Sequence, residues 1–576
     1  MKVLYIDLEN HDYEERERED IEEIHLGGVG AAAKLLLEEC PKNIDPLSPE
    51  NVIVLAIGPL SGLFPMCTKV VATFKSPLTN EYGESYAGGR LAAAMRFSGH
   101  EAIVIKGRSE TPVYLSIHDD DIRFKDATLL WGIKDTYAVG RILREREPGA
   151  GRRSIIRIGP AGEKGVRYAS VIVDSYRHFG RLGLGAVFGS KNLKGIVISG
   201  KKEFKPPDMT KFNKIWRNVM NITVNTDIME KYHDLGTSAN ILPLNYLKAL
   251  PTRNFKSSQF AHAQHISGET FAEKHLTRKT ACIPCPVGCI HIASMRFLYA
   301  PQHEYATVHM SYDYEPIYAL GSLLGMTDSS KVLMLIEKCE RYGLDAMSTG
   351  VCLAWATEMY EKDLISASET LGIPLAWDNA ESYSKAIDNI ILQKNHFYQE
   401  LAKGIDHSSE HWGGEEFGMT LGGLEVSGYH TGASSIVGQI VGARHSHLDN
   451  AGYSIDQKAA SAQTPLEKQV EQIINEEYWR CLVNSLIICL FARNIYTEEI
   501  VLQTLDSVGI EKTKEDLWSI GKENWKTKWE FKKREGFTLD KIKIPSRFFE
   551  TPSMTGKLKK EDIEKMLTLY REKVGL

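Results

Sequence analysis

The chain has 576 residues, with 69 Lys and Arg against 75 Asp and Glu for a formal charge of −6, and with 43% hydrophobic and 25% charged residues. That is length for roughly three or four domains of about 150 residues and the composition of a protein with a large core, without the basic excess that a nucleic-acid surface needs. No segment reaches the roughly 20 apolar residues that cross a bilayer; the nearest, LVNSLIICLFA at 482–492, is short and carries Asn484. The start, MKVLYIDLENHDYEERERED, meets charge after one short apolar run, unlike a secretory signal peptide, so a cytoplasmic protein is expected.

In chain order, residues 1–200 read as strand-rich and glycine-rich. Short apolar runs bounded by turn residues recur at 51–60, 101–107, 113–117 and 193–200, and DDD at 119–121 reads as a hairpin turn. Between them lie GGVGAAAKLLLEE (27–39), AGGRLAAAMRFSG (87–99) and FGRLGLGAVFGSKNLKG (179–195), which join glycine clusters to helix formers. Each alone reads as tight packing. Several within one strand-rich third point to a large phosphorylated cofactor approached by bare backbone. A boundary falls in KKEFKPPDMT at 201–210. Beyond it, 328–345, 348–362 and 381–393 carry period-3.6 apolar positions, with Asp328 and Ser348 as expected N-caps. Another glycine-rich join at 411–435 precedes a strong helix expected over about 466–492 and a charged helical tail at 560–573. No internal repeat is visible.

Nine cysteines are present, and three of them form ACIPCPVGCIH at 281–291, a Cys-x2-Cys-x3-Cys spacing. In a long chain without an export signal, metal ligation is the better account than a disulfide framework. Short spacings let successive thiolates take corners of one cubane, with the fourth iron ligated from elsewhere. Zinc would suit Cys-x2-Cys, but no Cys or His pair follows at finger spacing. The fourth ligand is either His291 or Cys489, the latter on the expected apolar helix. Two further polar clusters, HMSYDYEPIYALG (309–321) with Asp313 and Glu315 and GARHSHLDNAGY (442–453) with Arg444, His445, His447 and Asp449, read either as solvated loops or as acid–base groups beside an apolar wall.

The chain resembles the tungsten-containing aldehyde:ferredoxin oxidoreductase family along nearly its whole length. The resemblance runs through GGVGAAAKLLLEECPKNIDPLSPEN (27–51), GPLSG (58–62), KSPLT (75–79), SGHEAIVIKG (98–107), IGPAGEKGVRYAS (158–170), GRLGLGAVFGSKNLKGI (180–196), CIPCPVGC (282–289), DYEPIYALGSLLGMTD (313–328), GLDAMSTG (343–350) and CLF (489–491). It implies an α+β fold: a β-rich N-terminal tungstopterin-binding domain, 1–205, with two largely helical domains closing over it. These are 206–410, carrying the three-cysteine motif, and 411–576, carrying the fourth cluster cysteine. It implies tungsten, or molybdenum in its place, between two pyranopterins, magnesium bridging their phosphates, and a [4Fe-4S] cluster on Cys282, Cys285, Cys289 and Cys489. Pterin contacts would come from Lys69, Tyr86, Ala87, Gly88, Gly89, Arg177, His178, Phe179, Gly180, Arg181, Glu340, Leu344, Asp345, Asn484, Ile488 and Leu490. Glu315 and His447 take the positions beside the metal.

Lys69 stands where the family has arginine, Tyr86 where it has asparagine and Asn484 where it has aspartate, which alters the charge around the pterin. Met334 and Glu337 replace the Glu-x-x-His of an iron-linked homodimer, so that dimer is not expected. The activity implied is aldehyde oxidation, with His447 donating a hydrogen bond to the carbonyl oxygen, Glu315 as general base, and ferredoxin or a tightly bound iron–sulfur subunit as electron acceptor. Tyr312, Tyr314, Ile317 and Tyr318 are candidate walls of an apolar substrate pocket. Two rivals are an active-site subunit of a tungsten-dependent aryl-CoA reductase of the benzoyl-CoA type and a non-catalytic electron-transfer or scaffold subunit.

Overall fold

The short apolar runs of the first 200 residues become the strands of two six-stranded sheets; the computed structural model describes residues 1–300 and 304–576. The first sheet runs Asp12–Glu17, Lys2–Asp7, Ala102–Lys106, Ile53–Ala56, Val70–Lys75, Tyr82–Ala87. The second, taken from its corresponding edge, runs Asp121–Asp126, Val113–His118, Leu193–Ser199, Ser154–Arg157, Val171–Val173, Arg177–Phe179. In each, the first and last strands of the chain segment pair in parallel and every other pair is antiparallel. A helix joins the fifth strand to the sixth in both, Leu91–Ser98 in one and Leu184–Ser190 in the other. The N-terminal part is therefore a duplicated unit, although the sequence shows no repeat: topology is kept by short apolar runs buried on both faces, which many different residues satisfy. The edge strands Tyr82–Ala87 and Arg177–Phe179 lie against each other, so the equivalent loops that follow them emerge together.

Beyond residue 208 helices dominate, among them Met209–Val224, Ser329–Tyr342, Ala346–Glu361, Ala433–Val441, Leu466–Ser485, Lys514–Arg534 and Lys560–Val574. The fold class is α+β, and a buried apolar core runs from the two sheets into these helices. No single helix among the described residues is long and apolar enough to cross a membrane.

The largely helical stretch beyond residue 208 also contains an antiparallel sheet of Leu276–Thr280, Ile290–Ala300 and Glu304–Tyr312, whose last strand alternates in exposure and packs on the helix Ser329–Tyr342. Two expectations need correction. Asp328 caps its helix as expected, but the next helix is capped by Asp345, and Ser348 lies inside it, donating to Asp345 Oδ2 at 2.6 Å. The helix expected to reach 492 ends at Ser485, and Cys489 sits in extended backbone beyond it. Its last turn is crowded by bare main chain: a Cβ on Gly28 would lie 2.4 Å from the Ser485 carbonyl oxygen, and one on Gly58 would lie 2.3 Å from it.

The helical part buries an ionisable group of its own. Glu477 accepts from Tyr570 Oη at 2.5 Å, Asn450 Nδ2 at 3.0 Å and Trp525 Nε1 at 3.2 Å, yet burial pushes its carboxyl up from 4.5 to about 8. The folded state then holds a proton the unfolded chain has lost, so this group favours folding less as pH rises from about 4.5 to about 8, by at most about 1.4 kcal/mol per unit. Melting temperatures measured at intervals between pH 5 and 8 should fall less steeply for Glu477→Gln than for the natural chain; parallel slopes would show that Glu477 is ionised in the folded protein.

Candidate active site

The three-cysteine motif forms the turn between the strands Leu276–Thr280 and Ile290–Ala300. Cys282 Sγ accepts from the Gly89 amide at 3.2 Å. Burial alone would raise its thiol, but Lys69 and Arg177, with the Gly89 amide and Thr68 hydroxyl, bring it below the ordinary value. Burial pushes Cys285 up to about 12 and Cys289 up to about 11, and a negative charge on Cys489 acts in the same direction on both. One residue ties the two cysteine segments together: the Cys489 amide donates to the Met66 carbonyl at 2.9 Å, and the Met66 amide donates to the Pro284 carbonyl at 3.0 Å. Sulfurs of a zinc tetrahedron stand about 3.8 Å apart, from Zn–S bonds of about 2.3 Å. No three of these cysteine sulfurs lie within 4.8 Å of one another, the spacing within which Glu15, His100 and Asp120 gather elsewhere among the described residues. In that last trio Glu15 and Asp120 are ion-paired with Lys2, and Asp120 also with Lys202. His291, the other candidate ligand, has Nδ1 3.2 Å from the Cys289 carbonyl oxygen and Nε2 3.0 Å from those of His233 and Asp234, so its ring is tied to main chain.

The two equivalent loops present bare backbone beside the cysteines. A Cβ on Gly88 would meet Cys282 Sγ at 2.7 Å and Lys69 Nζ at 3.0 Å, which only glycine avoids. A Cβ on Gly180, in the second loop, would meet nothing within 4 Å. Tyr86 donates to Glu84 at 2.7 Å beneath the Arg444 guanidinium, 5.0 Å from its ring. Burial opposes the charge of Glu84, yet Lys528 and Arg444 bring its carboxyl down to about 2. On the other side, His178 Nε2 lies 2.7 Å from Glu340 Oε2, and Arg181 donates to Asp345 Oδ2 at 3.0 Å and to the Glu425 carbonyl at 2.7 Å. Leu344 bridges Ala169 through main chain. The side chains of Phe179 and Ile488 are packed in apolar cores, and the Ile488 amide donates to the Val483 carbonyl at 3.0 Å; Leu490 accepts from Arg493 through its carbonyl at 2.9 Å. The glycine run at 27–39 serves packing instead, bringing Gly28 onto the carbonyls of Asn484 and Ser485 and Gly30 onto Asn524.

Glu315, in the first turn of the helix Tyr314–Leu320, meets His447 from the loop after Ala433–Val441. His447 Nε2 lies 3.0 Å from Glu315 Oε1, but the ring is not aligned to donate, and both carboxylate oxygens and His447 Nδ1 lack a hydrogen-bond partner. Arg177 Nε is also buried without a partner. Arg177, Tyr86 and Tyr429 are half-buried and Asp313 is exposed; with Glu315 and His447 they border one chamber. Desolvation there raises the Asp313 carboxyl, against the pull of Arg177. The other members of the second polar cluster go elsewhere: Arg444 donates to Asp449 at 2.6 Å, and His445 lies 2.9 Å from Lys532 Nζ. Tyr314 and Tyr318 are fully buried with their hydroxyls on the carbonyls of Gly428 and Val426, so they support the wall. A surface cavity of about 1010 Å³ between Asp406, Lys541 and Glu535 touches none of the cysteines, Glu315 or His447.

A three-cysteine turn and a distant cysteine converge beside a chamber walled by two equivalent glycine loops, with an unsatisfied carboxylate–imidazole pair at its side: the chain is an oxidoreductase. The model described as "Aldehyde ferredoxin oxidoreductase, N-terminal domain" matches residues 3–200, and that described as "Aldehyde ferredoxin oxidoreductase, domains 2 & 3" matches 214–576. The chain belongs to the aldehyde ferredoxin oxidoreductase family. It is 32% identical to the tungsten-containing aldehyde ferredoxin oxidoreductase of Pyrococcus furiosus over 93% of this chain and 89% of that one. It is 27% identical to the aliphatic sulfonate oxidoreductase, WOR-like subunit, of the same organism, over 87% and 80%. In structure it is similar to a chain of the active site complex BamBC of benzoyl coenzyme A reductase with 1,5-dienoyl-CoA, with TM-score 0.83, 21% identity, and coverage of 100% of this chain and 94% of that one; at this identity the likeness shows the fold. Membership implies a tungsten pterin cofactor, and the bare backbone at Gly88, Gly89 and Gly180, with the orphaned polar atoms of Arg177, Glu315 and His447, fits such a group.

Proposed function

We propose that the chain oxidises aldehydes to carboxylic acids and passes the electrons through a [4Fe-4S] cluster to ferredoxin or an iron–sulfur partner subunit. The observation that carries this reading is the Glu315–His447 pair, 3.0 Å apart and otherwise unsatisfied beside the chamber, because buried polar groups without partners are costly unless a ligand completes them. Lys69, the backbone of Tyr86 to Gly89, Arg177 to Arg181, Glu340, Leu344, Asp345, Asn484, Ile488 and Leu490 would hold the pterin, with magnesium on its phosphates, and Cys282, Cys285, Cys289 and Cys489 would hold the cluster. When bound, these groups supply a two-electron acceptor for the substrate and a one-electron outlet. The protein's own work is acid–base. His447 donates a hydrogen bond to the aldehyde oxygen, and Glu315 takes the proton released as water oxygen adds to the carbonyl carbon. Overall, aldehyde and water yield carboxylic acid, two electrons and two protons, one of them through Glu315.

Purified without oxygen, the protein should carry about four iron atoms and one tungsten per chain, and aldehydes should reduce a viologen dye in its presence. Zinc in place of iron would overturn the cluster; turnover of an aryl-CoA thioester and of no aldehyde would favour the reductase reading, to which the benzoyl-CoA reductase likeness over the whole chain lends its fold. Absence of tungsten from fully folded protein would favour the scaffold reading. Cys489→Ser should lose or alter the reduced-state EPR signal of the cluster, whereas an unchanged signal in that variant and its loss in His291→Ala would move the fourth ligand to His291.

A further inference from the structure

The chamber has a second aromatic wall beside Glu315 and His447, supplied by residues that sequence reading passed over. Tyr429 belongs to the glycine-rich run at 411–435, and Tyr453 opens the helix Gly452–Ala462. Their rings stack at 4.4 Å and 23°. Tyr429 lies 5.1 Å from the His447 ring and 5.0 Å from that of Tyr314, and Tyr453 stands edge-on to His447 at 5.9 Å. Tyr314 has no exposed surface, but Tyr429 and Tyr453 keep part of theirs. The half-buried Tyr429 ring thus stands directly beside the Glu315–His447 pair. Of the nearby cations, Arg181 is held by Asp345 and the Glu425 carbonyl.

We propose that Tyr429, backed by Tyr453, is a stacking platform that selects planar aromatic aldehydes over aliphatic ones at the Glu315–His447 site. This rests on the aldehyde-oxidising reading above. A ring lying on Tyr429 would bring its carbonyl substituent toward the adjacent imidazole, and aromatic pairs gain about 0.5–1.5 kcal/mol beyond area burial, a few-fold to about tenfold in discrimination. An aliphatic chain of similar size gains the area term alone.

The test uses the holoenzyme, with kcat/KM for benzaldehyde and for butyraldehyde, and calorimetric binding of benzoate and butyrate as a readout independent of turnover. Tyr429→Leu keeps apolar area but no stacking face. It should lower the benzaldehyde-to-butyraldehyde ratio on the order of 3- to 10-fold and weaken benzoate by a like factor while leaving butyrate unchanged. Tyr429→Phe should restore both. A ratio unchanged in Tyr429→Leu, or both substrates falling equally, would overturn the platform and make Tyr429 a structural prop. If the holoenzyme oxidises neither aldehyde but Tyr429→Leu still loses benzoate, the platform stands and the aldehyde reading fails. If the natural protein binds benzoate no better than butyrate, the platform fails on its own.

Discussion

Glu315→Gln is expected to lower aldehyde turnover by about 10²–10⁴-fold, the usual contribution of a positioned general base, while iron and tungsten contents stay normal. Glutamine keeps the shape of the side chain and one acceptor oxygen 3.0 Å from His447 but removes the basic oxygen. Because both carboxylate oxygens lack partners within the protein, the substitution breaks no existing hydrogen bond, and a fall in rate reports chemistry instead of collapse of the site. His447→Ala should cost on the order of 10²–10³-fold, as one donor to a developing oxyanion typically does. The two effects should not add, since both groups act on one carbonyl. Near-normal turnover in Glu315→Gln with full metal content would move the base to Asp313, which also lies on the chamber wall; loss of tungsten would make Glu315 a structural residue.

Gly58→Ala is the second large effect expected. A methyl there would sit 2.3 Å from the Ser485 carbonyl oxygen and 2.8 Å from the Leu486 carbonyl carbon. Both are main-chain atoms that cannot swing aside, so the end of the helix Leu466–Ser485 must move as a body. Overpacking of this kind costs about 1–3 kcal/mol, more where backbone is displaced. The segment displaced leads within a few residues to Cys489, which is fixed by its hydrogen bond to Met66. Loss of cluster iron should therefore accompany a lower melting temperature, although Gly58 touches no cysteine. Full iron content and unchanged melting would mean that the helix end floats freely against the first sheet.

The cysteine turn was legible because ligand spacing is a local property: three thiolates within eight residues need no tertiary argument. The choice between His291 and Cys489 was not, because it depends on what else the histidine ring touches, and those partners are carbonyls of His233 and Asp234 nearly 60 residues away. Glycine runs were ambiguous for a related reason. A Cβ is excluded equally by a neighbouring helix end at Gly28 and by a cysteine and a lysine at Gly88, and composition cannot tell the two apart. Apolar period alone extended the helix that begins at Leu466 to 492, whereas it ends at Ser485, where its final carbonyls are crowded by Gly28 and Gly58. Tyr314 and Tyr318 looked like pocket walls because they flank Glu315 in sequence; on a helix those neighbours point into the core, and the half-buried ring beside His447, Tyr429, comes from a turn more than 100 residues later.

The duplicated sheets also bear on the order of assembly. Each unit makes its strand pairings within about 100 residues of chain, while Glu315, His447 and Cys489 reach the chamber only when the later helices dock. Contacts of short sequence separation form ahead of long ones because less loop entropy opposes them. The paired loops are thus made first and lie open until the helices arrive, which leaves a time window in which a large cofactor enters without passing through a finished wall. After docking, release would require the helices to part again.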